Sequence, residues 1–326
     1  MTASTSHAID AWKSSSVERN PVASDIHRLN AASQPLPRAG FLLLLGITLF
    51  WGLNWPGMKT VLGELPVWWF RSSCLVFGGC ALLLLSALGG NRCRIELREI
   101  RPLLLVTVFN VCGWHLFSAY GLTLVPAGRA SIIAFTMPVW ASALAVWLLA
   151  EPMTRNKVFA LILGMSGLAV LIGGDLIVLQ AAPVGSLLML GAALSWAMGT
   201  VLFKRGGWSL PIASSIGWQL LFGSVPITLG ALLIEPFPDL GAVSGTAWLA
   251  LAYVFIFPMV FCQWAYLKVV VLFPASIAAI GTLLVPVVGV YSSALLLGES
   301  VGWIELLSLT LTGAGMLLVL VLPSRH

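Results

Sequence analysis

The side chains in this sequence that could do chemistry are hydrogen-bonding groups set inside apolar runs. One run carries Trp51, Asn54 and Met58 at the i, i+3, i+7 spacing of a single helix face, and a later run repeats the pattern with Trp196, Gly199 and Phe203. A third holds Asn110, Trp114, His115, Ser118 and Tyr120, and its later counterpart holds Gln263, Trp264 and Tyr266. Amides, indoles and an imidazole at helical spacing either recognise a polar solute or tie helices together. His115 is the one among them whose ordinary pKa lies near neutrality. Arg71 adds a planar fork that fits a carboxylate or phosphate, with snorkelling to the headgroups as the alternative, and Lys59 has the same two readings. Bond-breaking chemistry lacks its signatures: there is no GxxxxGK(S/T) loop, no HExxH and no GxSxG. Only His115 of the four histidines sits in an apolar run, and the five cysteines (Cys74, Cys80, Cys93, Cys112, Cys262) have no CxxC spacing. No catalytic residue, metal site, disulfide framework or cofactor is expected.

Positioning these groups requires membrane helices. Of the 326 residues, 59% are hydrophobic and 9% charged, with a mean hydropathy of +0.98. Too few charges remain to coat a soluble surface, and there are too many apolar residues for a disordered chain. Ten apolar runs stand out, at 41–61, 66–88, 103–124, 127–149, 158–174, 185–203, 212–234, 246–270, 275–297 and 303–322. Most reach the ~17–25 residues that cross a bilayer, and they are too long for barrel strands. Residues 1–40 contain no apolar run and read as a solvated, disordered tail, while 323–326 form a short polar end. The first apolar run starts too late for a signal peptide.

Orientation follows from the cations. With the tail in the cytoplasm, Lys13, Arg19, Arg28, Arg38, Arg92, Arg94, Arg98, Arg101, Arg155, Lys157, Lys204, Arg205, Lys268 and Arg325 fall inside. Lys59, Arg71 and Arg129 fall outside. Fourteen against three is a strong positive-inside bias, and it sets both termini in the cytoplasm of an inner-membrane protein. The formal charge of +5 thus reports orientation, and no nucleic-acid partner is expected.

The chain also repeats itself. At an offset of 148, Leu124-Val125-Pro126-Ala127 aligns with Leu272-Phe273-Pro274-Ala275, Pro138-Val139 with Pro286-Val287, Glu151 with Glu299, Gly167 with Gly315 and His115 with Gln263. At an offset of 145, Trp51 aligns with Trp196, Lys59 with Lys204 and Leu65-Pro66 with Leu210-Pro211. The repeats cover 41–184 and 185–322, and each holds five runs. An odd number forces opposite orientations, which makes the fold an all-α membrane protein of ten transmembrane helices in two inverted five-helix repeats. Pro56, Pro138 and Pro286 fall within runs and deprive the carbonyls of Gly52, Ala134 and Thr282 of a helical partner, so they read as hinges. Glu151 and Glu299 end apolar runs and read as structural groups that cap the next helix or pair across a short loop.

Several of these motifs, in this order and doubled, resemble the EamA family of the drug/metabolite transporter superfamily. They are Phe50-Trp51-Gly52-Leu53-Asn54, Arg71, Pro126-Ala127-Gly128 with Ala130-Ser131, Pro138 and Glu151, then Pro274-Ala275-Ser276 with Pro286 and Glu299. The likeness spans about 41–322, with one departure at Lys268-Val269-Val270-Val271. It implies a five-plus-five helix secondary transporter, often an exporter of amino acids or other small metabolites. The residues themselves leave a passive channel open, and a membrane-embedded enzyme at much longer odds. With no carboxylate in the middle of any run, the expected substrate is neutral, zwitterionic or anionic. A homodimer in the lipid bilayer is left open.

Overall fold

A computed structural model describes residues 38–149, 153–178, 184–206, 208–272 and 275–320. Glu151, most of the expected tail and the polar end lie outside the described residues. Among the described residues every regular element is helical: α1 (Arg38–Leu62), α2 (Val67–Leu88), α3 (Leu97–Thr107), α4 (Trp114–Leu124), α5 (Ala127–Ala134), α6 (Met137–Leu148), α7 (Arg155–Val178), α8 (Val184–Arg205), α9 (Ile212–Ile234), α10 (Gly245–Ile256), α11 (Cys262–Leu272), α12 (Ala275–Leu297) and α13 (Trp303–Leu320). Two π-helical segments, Val108–Gly113 and Phe257–Phe261, join α3 to α4 and α10 to α11 without a break.

Local chemistry sets the ends. Pro66, Pro126 and Pro211 hold extended backbone just ahead of α2, α5 and α9, and a proline cannot continue a helix that reaches it from the N-terminal side. Ser244 caps α10 by accepting the Ala247 N–H at 3.1 Å. Seven stretches among the described residues are long and apolar enough to cross a membrane: Ala39–Leu62, Val67–Leu88, Leu97–Leu124, Ala127–Leu148, Val184–Arg205, Ile212–Ile234 and Gly245–Tyr266. Leu284–Leu297 and Trp303–Leu318 are shorter apolar helices. Many large apolar side chains face outward, with Leu233 85% and Leu295 84% exposed, which is the surface of a multi-pass membrane protein.

One sequence expectation needs correction. Pro138 does not interrupt a continuous helix: the chain breaks at Phe135–Thr136, and Pro138 is the second residue of α6. Proline is tolerated in a first turn, because the N–H it lacks would have no helical acceptor there. Pro56 and Pro286 do lie inside helices, α1 and α12.

Packing follows the repeat. Helix α2 packs on α9, α5 on α12 and α7 on α13, so elements at equivalent places in the two copies meet each other. The pairs run antiparallel. In α2 and α9, Ser72 bonds Thr228 at 2.6 Å and Ser86 bonds Ser214 at 2.7 Å, so later residues of one helix meet earlier residues of the other. The α7–α13 seam is reciprocal to the residue. A β-carbon on Gly167 would stand 2.7 Å from Thr312 Oγ1 and 3.1 Å from the Ser308 carbonyl. One on Gly315 would stand 2.9 Å from the Ala160 carbonyl and 3.3 Å from the Gly164 amide nitrogen. Ala160 and Gly164 are the equivalents of Ser308 and Thr312 at the offset of 148.

The two ends of the bundle differ in charge. At one end Glu64 accepts from Ser244, Glu235 from the Trp68 N–H, Glu299 from the α5 N-terminus, and Glu305 pairs with Arg129 at 2.6 Å. At the other, the Arg92–Arg101 segment meets the start of α9: Ser214 donates to the Arg92 carbonyl, Trp218 to the Cys93 carbonyl, and the Ser209 N–H to Glu99.

Candidate functional site

Asn110, Trp114, His115, Gln263 and Tyr266 lie in or shortly after the two π-helical segments, and Arg71, Trp51 and Trp196 reach them from α2, α1 and α8. An i→i+5 turn adds a residue to the helix, re-aims the side chains that follow and leaves carbonyls to be satisfied from outside. In the first copy the Phe109 carbonyl is met by the Ser195 hydroxyl of α8 at 2.8 Å. Asn110 lies in the segment against Gly199, where any side chain would collide with its amide. Trp114 follows, edge to face with Trp196 at 5.0 Å. His115 lies two residues past Gly113, and Gln263 two residues past Phe261, so both copies offer a hydrogen-bonding side chain at the same point after the same distortion. In the second copy Trp51 packs on Tyr266 at 5.6 Å. Each repeat thus sends a tryptophan, Trp51 or Trp196, onto an aromatic ring of the other repeat.

Arg71 is 2% exposed and does not reach the interface. Its Nη2 donates to Ser118 Oγ at 3.0 Å, and Ser118 lies one turn beyond His115. His115 is 7% exposed and within electrostatic reach of the guanidinium. Asn54 donates from Nδ2 to Met58 Sδ at 3.5 Å. Among the described residues six buried side-chain polar atoms lack a hydrogen-bond partner, and four belong to this group: Asn54 Oδ1, Arg71 Nε, Asn110 Oδ1 and His115 Nδ1. Such atoms cost about 1–3 kcal/mol each when buried, so four of them among the expected site residues demand an explanation.

Lys59 stands apart. Its ammonium donates to the Leu122 and Val125 carbonyls at 2.5 and 2.8 Å, tying down the end of α4. Glu299 completes that corner from the second repeat, accepting from the Ala127 and Gly128 N–H groups at 2.6 and 2.9 Å. It therefore caps a helix of the other copy, not the next helix in sequence. Outside the spans, the Ser244 hydroxyl and N–H hold the Glu64 carboxyl below its ordinary value. Sequence reasoning missed the π-helical segments and the support given by Ser195. Pro258, which lacks a helix N–H, and Gly113, which leaves room beside the backbone, lie in the two segments and were the available clue.

Known proteins with similar sequences bear on this arrangement. Residues 38–173 and 183–321 each match the EamA-like transporter family. The uncharacterized transporter YvbV of Bacillus subtilis is 32% identical over 87% of this chain and 90% of its own. A probable amino-acid metabolite efflux pump of Salmonella typhimurium is 27% identical over 85% of this chain and 93% of its own. A solved crystal structure superposes with a TM-score of 0.61 at 19% identity, covering 86% of this chain and 96% of that one, which speaks for the fold alone. Each matched segment contributes one member of every antiparallel helix pair described above, and the chain belongs to the EamA-like transporter family, a group of drug/metabolite transporters and not of enzymes.

Proposed function

We propose that the chain is a secondary exporter of the inner membrane that moves a small polar metabolite, such as an amino acid, by alternating access. Ten helices would cross the bilayer as two oppositely oriented five-helix repeats, with both termini in the cytoplasm. The observation that carries this reading is the reciprocal antiparallel packing of equivalent helices, above all the Gly167 and Gly315 contacts. Two near-equivalent halves in opposite orientation have two arrangements of similar energy, one open to each side, and a solute that binds both can be carried between them. The unpartnered atoms of Asn54, Arg71, Asn110 and His115 support a polar site between the halves, with Trp51, Trp114, Trp196, Gln263 and Tyr266 as its walls. Pro56 and Pro286, inside their helices, would be bending points. The names of the efflux-pump relatives support export.

The test is metabolite profiling of medium from overexpressing and deleted cells, followed by flux in proteoliposomes. An exported metabolite with saturable flux is expected, whereas non-saturable, ion-like conduction would replace the transporter with a channel. Cysteine labelling should place position 64 outside and position 94 inside.

A further inference from the structure

Arg71 poses a charge problem that the protein leaves open. A guanidinium stays ionised in proteins, and burying one without a counter-charge is strongly unfavourable. Among the described residues Arg71 has Ser118 as its one hydrogen-bond acceptor, a neutral one, and the Phe70 ring at 4.9 Å; its Nε has no acceptor, and no carboxylate pairs with it. The described carboxylates are committed elsewhere: Glu64 to Ser244, Glu96 to Arg92 and Arg98, Glu99 to Ser209, Glu235 to Trp68, Asp239 to Gly241, Glu299 to the start of α5 and Glu305 to Arg129. The same census matters for the solute. A zwitterion brings an ammonium as well as a carboxylate, and beside Arg71 the ammonium would meet Ser118 and His115 but no anion among the described side chains.

We infer, resting on the transporter reading above and narrowing its metabolite away from amino acids, that the bound solute supplies the negative charge missing at Arg71 and carries no ammonium: the transported species is a small organic monoanion, a carboxylate in preference to the amino acid of the same skeleton. The guanidinium takes the carboxylate through its unpartnered Nε. The Ser118 hydroxyl beside the fork suits a hydroxyl better than a cation that needs full neutralisation.

The test uses the full chain in proteoliposomes and three matched solute sets on propyl, isobutyl and benzyl skeletons, each as hydroxy acid, amino acid and amine. Saturable flux of a hydroxy acid is expected, with kcat/KM about tenfold or more above that of its amino acid, and a comparable loss in Arg71→Gln. Arg71→Lys, which keeps the charge and loses the fork, should retain the preference for anions at lower affinity. Thermal unfolding in detergent confirms that each variant is folded, and hydroxy acid should raise the Tm of the wild type and not of Arg71→Gln. Amino-acid flux equal to or above hydroxy-acid flux would overturn the charge assignment and leave the transporter reading standing. Flux of no solute by folded protein would overturn both.

Discussion

Set side by side, the equivalent regions around Val108–Gly113 and Phe257–Phe261 share a backbone and differ in what it displays. The first is followed by His115 and Ser118 and faces Arg71; the second is followed by Gln263 and Tyr266, and the position equivalent to Arg71 is Ile216. The distortion itself also has different sources. Pro258 removes an N–H in the second copy, while in the first the Ser195 hydroxyl takes up the Phe109 carbonyl and Gly113 leaves room for it. The shape is thus held by pairs of packed helices, and it survives when the residues that cause it change. Both copies need the geometry; one copy holds the charge.

That comparison can be broken in graded ways. The largest effect is expected from Gly167→Leu and Gly315→Leu, because each forces a side chain onto the facing backbone. Each should cost about 1–3 kcal/mol, and by matching amounts, in detergent unfolding. Clearly unequal losses would show that the seam is not symmetric. Next, Glu299→Gln and Glu235→Gln remove charge from the N-termini of α5 and α2 and should each cost about 1 kcal/mol. A cost at one position alone would make that corner specific to its repeat.

A smaller effect follows from His115→Gln, which makes the copies alike at this position. Flux should stay within about threefold, the worth of an interhelical hydrogen bond of ~0.6 kcal/mol. Loss beyond tenfold would assign the imidazole a task that an amide cannot do. Smallest is the effect at Glu64, exposed at the acidic end. A carboxyl held below its usual 4.5 stabilises the fold at neutral pH and loses that contribution as pH falls through the lower folded value. Tm should therefore decline from about pH 5 downward, and less steeply in Glu64→Gln; parallel curves would remove Ser244 as a stabilising partner.

Hydropathy located the helices well because lipid demands long apolar runs with their backbone satisfied internally, and the Pro–Pro–Glu–Gly frame located the repeat because loops and close contacts tolerate few residues. What hydropathy cannot register is a change in backbone hydrogen bonding within an apolar run. The break at Phe135–Thr136 and both π-helical segments were hidden for that reason. Arg71 was open between cavity and interface because its burial depends on the helix that faces it, and Lys59 because its acceptors, the Leu122 and Val125 carbonyls, are backbone atoms of a distant helix. Glu299 was read as a cap, but which helix it caps depends on how the repeats pack.

The seam between α7 and α13 has a further consequence. Each glycine meets the equivalents of the residues its partner meets, so the surface is self-complementary, the property that lets two identical subunits close around a twofold axis. Two separate half-length polypeptides would present the same surface to each other, but their union would fall apart on dilution. Joined in one chain, the halves face each other at a fixed effective concentration set by the connection and not by expression level. Each can then drift in sequence, as Arg71 and Ile216 have, without any loss of pairing to unlike copies.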